Sequence, residues 1–272
     1  MKETKKYDRT KDRRREGARA AYGGDQPNEG VISGRNAVKE LLASGRDIDK
    51  IFVSRGDREG SIVALVGEAI ARKIPLIEVD RKRLDELCGH NRHQGIVAMA
   101  AEHEYASLDD VFALAEERGE KPFIVIADEI EDPHNLGAII RTAECAGAHG
   151  LIIPKRRAVG LTSVVAKASA GAIEHLPIVK VTNLANTIDE LKEKGLWLYA
   201  ADMDGSTYYE TDLCGAVAVV LGSEGFGISR LVKEKCDFVV SIPLYGRVNS
   251  LNVSAAAAVI LNEVARQRHV QK

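Results

Sequence analysis

Three polar clusters in this sequence combine residue types able to hold and act on a small ligand. The first follows the apolar run Phe123–Ala127 and reads Asp128-Glu129-Ile130-Glu131-Asp132-Pro133-His134-Asn135-Leu136-Gly137-Ala138-Ile139-Ile140-Arg141. Asp132 suits the cap of a helix and Pro133 its first turn. A capped helix with acids at its positive end explains those residues. It leaves Asn135 unexplained, and also Arg141, which stands inside an apolar stretch. The second cluster is Leu221-Gly222-Ser223-Glu224-Gly225-Phe226-Gly227-Ile228-Ser229. Its three glycines permit tight turns and close backbone approach to a ligand. Neither a dinucleotide fingerprint nor a P-loop is present, since Arg230 stands where the last glycine of G-x-G-x-x-G belongs and no G-x-x-x-x-G-K-[ST] occurs. Glu224 reads either as an exposed turn carboxylate or as a site acid. The third cluster runs Ile242-Pro243-Leu244-Tyr245-Gly246-Arg247-Val248-Asn249-Ser250-Leu251-Asn252-Val253-Ser254. Ser250, Asn252 and Ser254 alternate with Leu251 and Val253, a mixture that fits a heterocycle or nucleoside. Asn252 or Ser254 equally suits the cap of the helix that follows.

The elements that must position these clusters follow from hydrophobic patterning. Phe123–Ala127 is a continuous apolar run, the mark of a strand buried on both faces. Leu151–Ile153, Leu176–Val181, Trp197–Ala201, Val217–Leu221 and Phe238–Ile242 repeat it, with helical patterns between. Alternating strand and helix argues for a mostly parallel sheet covered on both sides, with ligands at the carboxyl ends of its strands. The last helix is expected over Asn252–Arg268, with Ala255–Ala258 allowing close packing. Upstream, a smaller α/β unit is expected: helices at Gly34–Leu42, Gly60–Arg72 and Asp80–Leu87, strands at Ile51–Val53, Pro75–Val79 and Gly95–Ala100. The chain thus divides into an arm (1–28), a small domain (29–105), a linker helix (106–120) and a larger domain (121–272).

Composition sets the bounds. Of 272 residues 45% are hydrophobic and 29% charged, which excludes wholesale disorder. No apolar run reaches the ~18 residues of a membrane span, and the charged amino terminus is no secretory signal. Cys88, Cys145, Cys214 and Cys236 form no C-x-x-C pair, so buried thiols in a reducing cytoplasm are expected. His90 and His93 have metal-like spacing without a further ligand cluster, so contact with solvent or RNA is expected of them rather than metal. Residues 1–28 carry nine Lys or Arg against five Asp or Glu, although the whole chain has a net charge of -2. A basic, unpatterned arm on an acidic body points to a polyanionic partner.

Together the clusters resemble the three signature motifs of the SpoU/TrmH family of RNA ribose 2′-O-methyltransferases: N-x-G-x-x-x-R at Asn135–Arg141, L-G-x-E-G-x-G at Leu221–Gly227, and I-P ending in S-L-N-x-S at Ile242–Ser254. Gly34–Leu42 and Arg92–Ala98 look like the small substrate-binding domain of the branch that modifies a guanosine in 23S rRNA. The resemblance implies a mostly parallel α/β domain tied in a deep trefoil knot, an exception to the rule of unknotted chains. It also implies an L30e-like amino-terminal domain, a homodimer, and S-adenosyl-L-methionine as cofactor. Gly222, Ile242 and Leu251 match the family's main-chain cofactor contacts, with Leu221 and Ser250 nearby; glycine at 222 would keep a side chain from crowding the cofactor. Arg141 matches the catalytic arginine, with Asn135, Glu224, Asn252 and Ser254 completing the site. Whether Arg141 is base or electrostatic clamp stays open, because a free guanidinium keeps its proton (pKa above ~12). Positions 135 and 141 lie about 240° apart on a helix, so they share a site only if Asn135 belongs to the loop entering it. Rival readings are the same chemistry on tRNA or another rRNA nucleotide, and an RNA-binding ribosome-assembly factor without activity.

The arm's charge yields a first prediction. Deleting residues 1–28 weakens RNA binding and flattens its salt dependence, because fewer counterions are released, while cofactor binding is unchanged. Titrations at several salt concentrations check this; equal slopes for both chains mark the arm as a solubilising tail.

Overall fold

A computed structural model describes residues 30–56, 60–101 and 103–270; the arm lies outside them. The small domain begins with β1 (Val31–Ser33) and α1 (Arg35–Ala43), followed by β2 (Ile48–Ser54), α2 (Ser61–Ala71), β3 (Leu76–Val79), α3 (Arg81–Cys88) and β4 (Ile96–Ala100). Its sheet has the order β1-β4-β2-β3, with β3 parallel to β2 and the other pairs antiparallel. Alternation along β2 sends Ile51 and Val53 into a core with Val38 and Leu42 of α1 and Leu65 and Ala69 of α2. Three-residue β1 was not legible, being too short to show a period.

The linker helix α4 (Leu108–Glu117) starts with a reciprocal cap between Ser107 and Asp110. Beyond it come β5 (Phe123–Ala127), α5 (Pro133–Cys145), β6 (Gly150–Pro154), α6 (Ser163–Ala168), β7 (Ile178–Val181), α7 (Leu184–Glu193), β8 (Trp197–Thr207), β9 (Val217–Leu221), α8 (Arg230–Lys235), β10 (Phe238–Ser241) and α9 (Val253–Val270). The sheet order is β10-β8-β9-β5-β6-β7, every pair parallel. β5 and β9 are buried along their whole length, as their uninterrupted apolar runs require. One face packs against α5 and α9, the other against α4, α7 and α8. Each fully buried Leu or Ile contributes roughly 1.5–3 kcal/mol, so these layers fix the strand ends on which the polar clusters ride. Among the described residues no helix is long and apolar enough to cross a membrane.

Close contacts explain two glycines. A Cβ at Gly137 would lie 2.4 Å from the Ala168 Cβ, so α5 and α6 meet backbone to backbone there. A Cβ at Gly205 would lie 2.4 Å from Val239 backbone. Gly205 belongs to an irregularity within β8: the pairing with β10 jumps from Ala200↔Val239 to Ser206↔Val240. β8 therefore continues past Ala201, where its apolar run ends, and residues 201–205 leave the ladder.

Two expectations need correction. Cys145 is exposed and the other three cysteines are half-buried: residue 145 ends α5 on the side away from the sheet. His93 is buried, its Nδ1 accepting the Gly95 N–H at 2.9 Å and its Nε2 lying 3.1 Å from Asp85, so it organises the turn into β4 instead of meeting solvent or RNA.

His149, fully buried just before β6, accepts the Phe123 N–H on Nδ1 at 2.9 Å. Burial foremost, then the charges of Arg268 and Arg118, pushes its pKa down, against the pull of Glu120. The unfolded chain takes up that proton near the ordinary value of about 6.5, whereas the fold resists it. The stability His149 contributes is therefore complete above that pH and lost progressively below it. Urea unfolding from about pH 7.5 to 5.5 is expected to show this decline, and His149→Asn, which keeps an acceptor but does not titrate, should flatten it; identical profiles would rule His149 out as its source.

Candidate functional site

The carboxyl ends of β5, β9 and β10 carry the three clusters, and each cluster is shaped by local backbone chemistry. After β9 the chain forms a tight hairpin in which Ser223 and Gly227 exchange N–H···O bonds of 3.0 and 2.9 Å. Gly225 and Gly227 take φ of +90° and +70°, values that side chains disfavour. Asp128, buried at the end of β5, clamps the base of this loop by accepting the Ser229 N–H at 2.8 Å. Gly222 lines a cavity and also has a reason within the fold. A Cβ there would fall 2.2 Å from the Gly227 carbonyl carbon and 2.3 Å from the Ile228 nitrogen, so the hairpin closes on itself only over glycine.

Asp132 caps α5 by accepting the His134 N–H at 3.0 Å, with Pro133 first in the helix. Asn135 therefore lies in the first helical turn and not in the entering loop. Its amide is buried and points toward the hairpin, donating from Nδ2 to Glu224 Oε1 at 3.0 Å. Asn252 caps α9: its Oδ1 accepts the Ser254 N–H at 2.9 Å and the Ser254 hydroxyl at 2.6 Å. Its Nδ2 donates to Asn135 Oδ1 at 3.1 Å and to Glu224 Oε1. Asn252 is thus both a helix cap and a site residue. One carboxylate oxygen collects two amide donors, each itself oriented by a helix start.

This knot of polar groups forms the wall between two cavities. The larger, of about 540 Å³, is lined by Leu221, Gly222, Ile242, Ser250 and Leu251, with Ile260 of α9 beneath and Asp202 and Met203 from the irregular part of β8 at one side. The smaller, of about 280 Å³, is lined by Asn135, Glu129, Glu131, Asp132 and the exposed Phe226. Ser223, Glu224 and Val253 border both. A largely apolar chamber edged with backbone groups can hold a nucleoside-like ligand. The carboxylate at the wall can accept a hydroxyl hydrogen bond from the neighbouring chamber. Among the described residues no group of three His, Cys, Asp or Glu is arranged to hold a metal ion.

Of the residues singled out from sequence, Asn135, Glu224, Asn252 and Ser254 come together, as do Leu221, Gly222, Ile242, Ser250 and Leu251. Arg141 does not join them. It is exposed on the outer face of α5, its side chain makes no hydrogen bond or ion pair among the described residues, and it lines neither cavity. Asp128 could have been found from its place directly after β5. Asp202 and Met203 could not, because nothing local marks the break in β8.

The sequence profile of the SpoU rRNA Methylase family matches residues 122–262, and that of the RNA 2′-O ribose methyltransferase substrate-binding domain matches residues 31–106. The chain belongs to the SpoU rRNA methylase family. A Bacillus subtilis strain 168 protein described as a TrmH family tRNA/rRNA methyltransferase is 48% identical over 239 residues, covering 88% of this chain and 96% of that one. The crystal structure of the SpoU methyltransferase AviRb from Streptomyces viridochromogenes aligns with a TM-score of 0.57 at 25% identity, over 89% of this chain and 90% of that one. An AdoMet-bound rRNA methyltransferase from Sinorhizobium meliloti aligns with a TM-score of 0.53 at 25% identity, over 87% and 86%. Membership makes this SpoU chain an RNA methyltransferase.

Two substitutions separate the capping role of Asn252 from its hold on Glu224. Asn252→Ser keeps a capping oxygen without charge; Asn252→Asp caps equally well but sets a second carboxylate against Glu224. The Asp variant is expected to be less stable than the Ser variant by on the order of 1–3 kcal/mol at neutral pH. Denaturant unfolding at one protein concentration measures it. Equal stabilities would reduce Asn252 to a cap.

Proposed function

We propose that this chain methylates a ribose 2′-hydroxyl of RNA using S-adenosylmethionine, with a guanosine of 23S rRNA as the target favoured by its small domain, and that it works in the cytoplasm as a knotted homodimer. The observation that carries the reading is Glu224 on the wall between the two cavities. The larger cavity suits the cofactor: Leu221, Gly222, Ile242 and Leu251 offer backbone groups to an adenine edge, and apolar side chains enclose the ring. When bound, the cofactor supplies a methyl group on a positively charged sulfur, a good leaving group.

The protein's task is then to present the hydroxyl. Glu224 Oε1 is occupied by the amides of Asn135 and Asn252. Oε2 makes no hydrogen bond among the described residues and is left to accept the one the ribose hydroxyl donates, raising the electron density on its oxygen. The amides fix the carboxylate before the ligand arrives, so little reorganisation accompanies the reaction. The acids around the smaller cavity repel phosphate, which leaves it to the neutral parts of the nucleotide.

Arg141 completes the site across a dimer. It lies about 240° around α5 from Asn135 and has no partner of its own, which suits a group reaching toward the site of a second copy. A protonated guanidinium there clamps the phosphate flanking the target and the charge that develops during transfer.

Complementation tests this. Arg141→Ala should lower turnover by on the order of 10²–10⁴ with calorimetric cofactor affinity unchanged, and Glu224→Gln should be similarly slow. Unfolding and refolding the two inactive variants together forms mixed dimers with one intact site, expected to recover about a quarter of wild-type activity. No recovery, with dimers shown by light scattering, would place Arg141 outside the partner's site. Mapping 2′-O-methyl groups in rRNA and tRNA of a strain lacking the gene identifies the target; an unchanged map in both would count against methyl transfer.

A further inference from the structure

Asp49 stands where the pattern of β2 asks for an apolar residue, since Asp49, Ile51 and Val53 are the buried members of its alternation. The pairing with β4 slips at this point, Ile48 opposing Ala100 while Lys50 opposes Met99, and leaves Asp49 as the extra residue of a bulge. Bulges re-aim side chains, and this one sends a carboxylate out of the small domain into the large one. Asp49 Oδ1 accepts the Tyr105 hydroxyl at 2.6 Å and pairs with the Lys180 ammonium on β7. Asp49 is 3% exposed and Lys180 9%. The Tyr105 hydroxyl in turn accepts the Leu161 N–H at 3.1 Å, and the ammonium lies 4.5 Å from the Tyr105 ring centre. Gly160 makes room: a Cβ there would lie 2.0 Å from Asp49 Oδ2.

A buried ion pair is a poor source of net stability, because desolvation offsets most of the attraction. It is a good source of one defined orientation. We infer that Asp49 is a positioning residue for the reaction, locking the RNA-binding domain at one angle on the β7 edge of the catalytic sheet through Lys180 and Tyr105. The backbone attachment beside it is slight: Ala106 bridges to Val179 and donates to Ile178 O at 2.9 Å. β7 lies three strands from β9, about 15 Å away at ordinary strand spacing, so a small tilt of the domain moves bound RNA far from Glu224. The functional half of this inference rests on the methyl-transfer reading; the locked orientation does not.

The test uses the full chain and two variants. Lys180→Met leaves Asp49 buried and unpaired; Asp49→Asn/Lys180→Met removes the charges together and keeps the shape, so it folds even if the single variant does not. The double variant is expected to melt as one folded protein, give a larger and broader particle in small-angle scattering, and be cut faster by protease between residues 101 and 107. With a 23S rRNA transcript its KM should rise about tenfold, with kcat and cofactor affinity unchanged. Scattering and proteolysis like wild type would overturn the lock. A loosened particle with an unchanged KM would overturn its role in the reaction. Loosening in a protein whose wild type transfers no methyl group would uphold the lock and refute the proposed function instead.

Discussion

Glu224 Oε1 is the point on which the catalytic domain converges. Its two amide donors come from the first turn of α5 and the cap of α9, and it hangs from the hairpin after β9. A carboxylate at a helix start is stabilised by the exposed N–H groups there, and each amide is fixed by the element that bears it. Three loops that could move separately are joined through one oxygen, so the wall between the cavities is rigid while both chambers stay open.

The hairpin places that oxygen through packing as much as through hydrogen bonds. Gly222 lets the strand exit pass against Gly227 and Ile228 with no room for a side chain. Asp128 ties the far side of the loop to β5. The hairpin edge of the larger cavity is consequently fixed in place, held by a sheet whose central strands are inaccessible to water. Specific recognition of a small ligand needs groups held in place, and a hairpin closed in this way can supply them.

Much of this could be read from residue types. The parallel sheet announced itself in apolar runs that pay no regard to a solvent face, and Asp132-Pro133 marked the start of α5 correctly. Asn252 was ambiguous between cap and site because one side chain does both, with its oxygen turned to α9 and its nitrogen to Glu224. The reason for Gly222 was invisible, since its near neighbours, Gly227 and Ile228, meet it only once the hairpin has closed. Asn135 was read as a site residue, on condition that it lay in the loop entering α5 if it was to share a site with Arg141; it lies instead in the first helical turn and meets Glu224 from there. Within one chain the structure separates the two. The irregularity in β8 depends on its pairing with β10, and the bulge at Asp49 on pairing with β4; no local composition encodes either.

The Asn135–Asn252 hydrogen bond joins residues 117 apart in sequence, and this matters to a chain made from its amino terminus. The ribosome delivers β5, α5 and β9 well before residue 252, and domains tend to fold as they emerge. An unfinished chain can therefore assemble most of its sheet while Glu224 still lacks its second donor and the larger cavity its α9 side. Emergence of Asn252 and α9 brings the closing amide and the floor of the larger cavity together. The wall between the cavities is therefore among the last features to be completed, and a chain stopped before residue 252 would have most of the sheet without the amide that closes it.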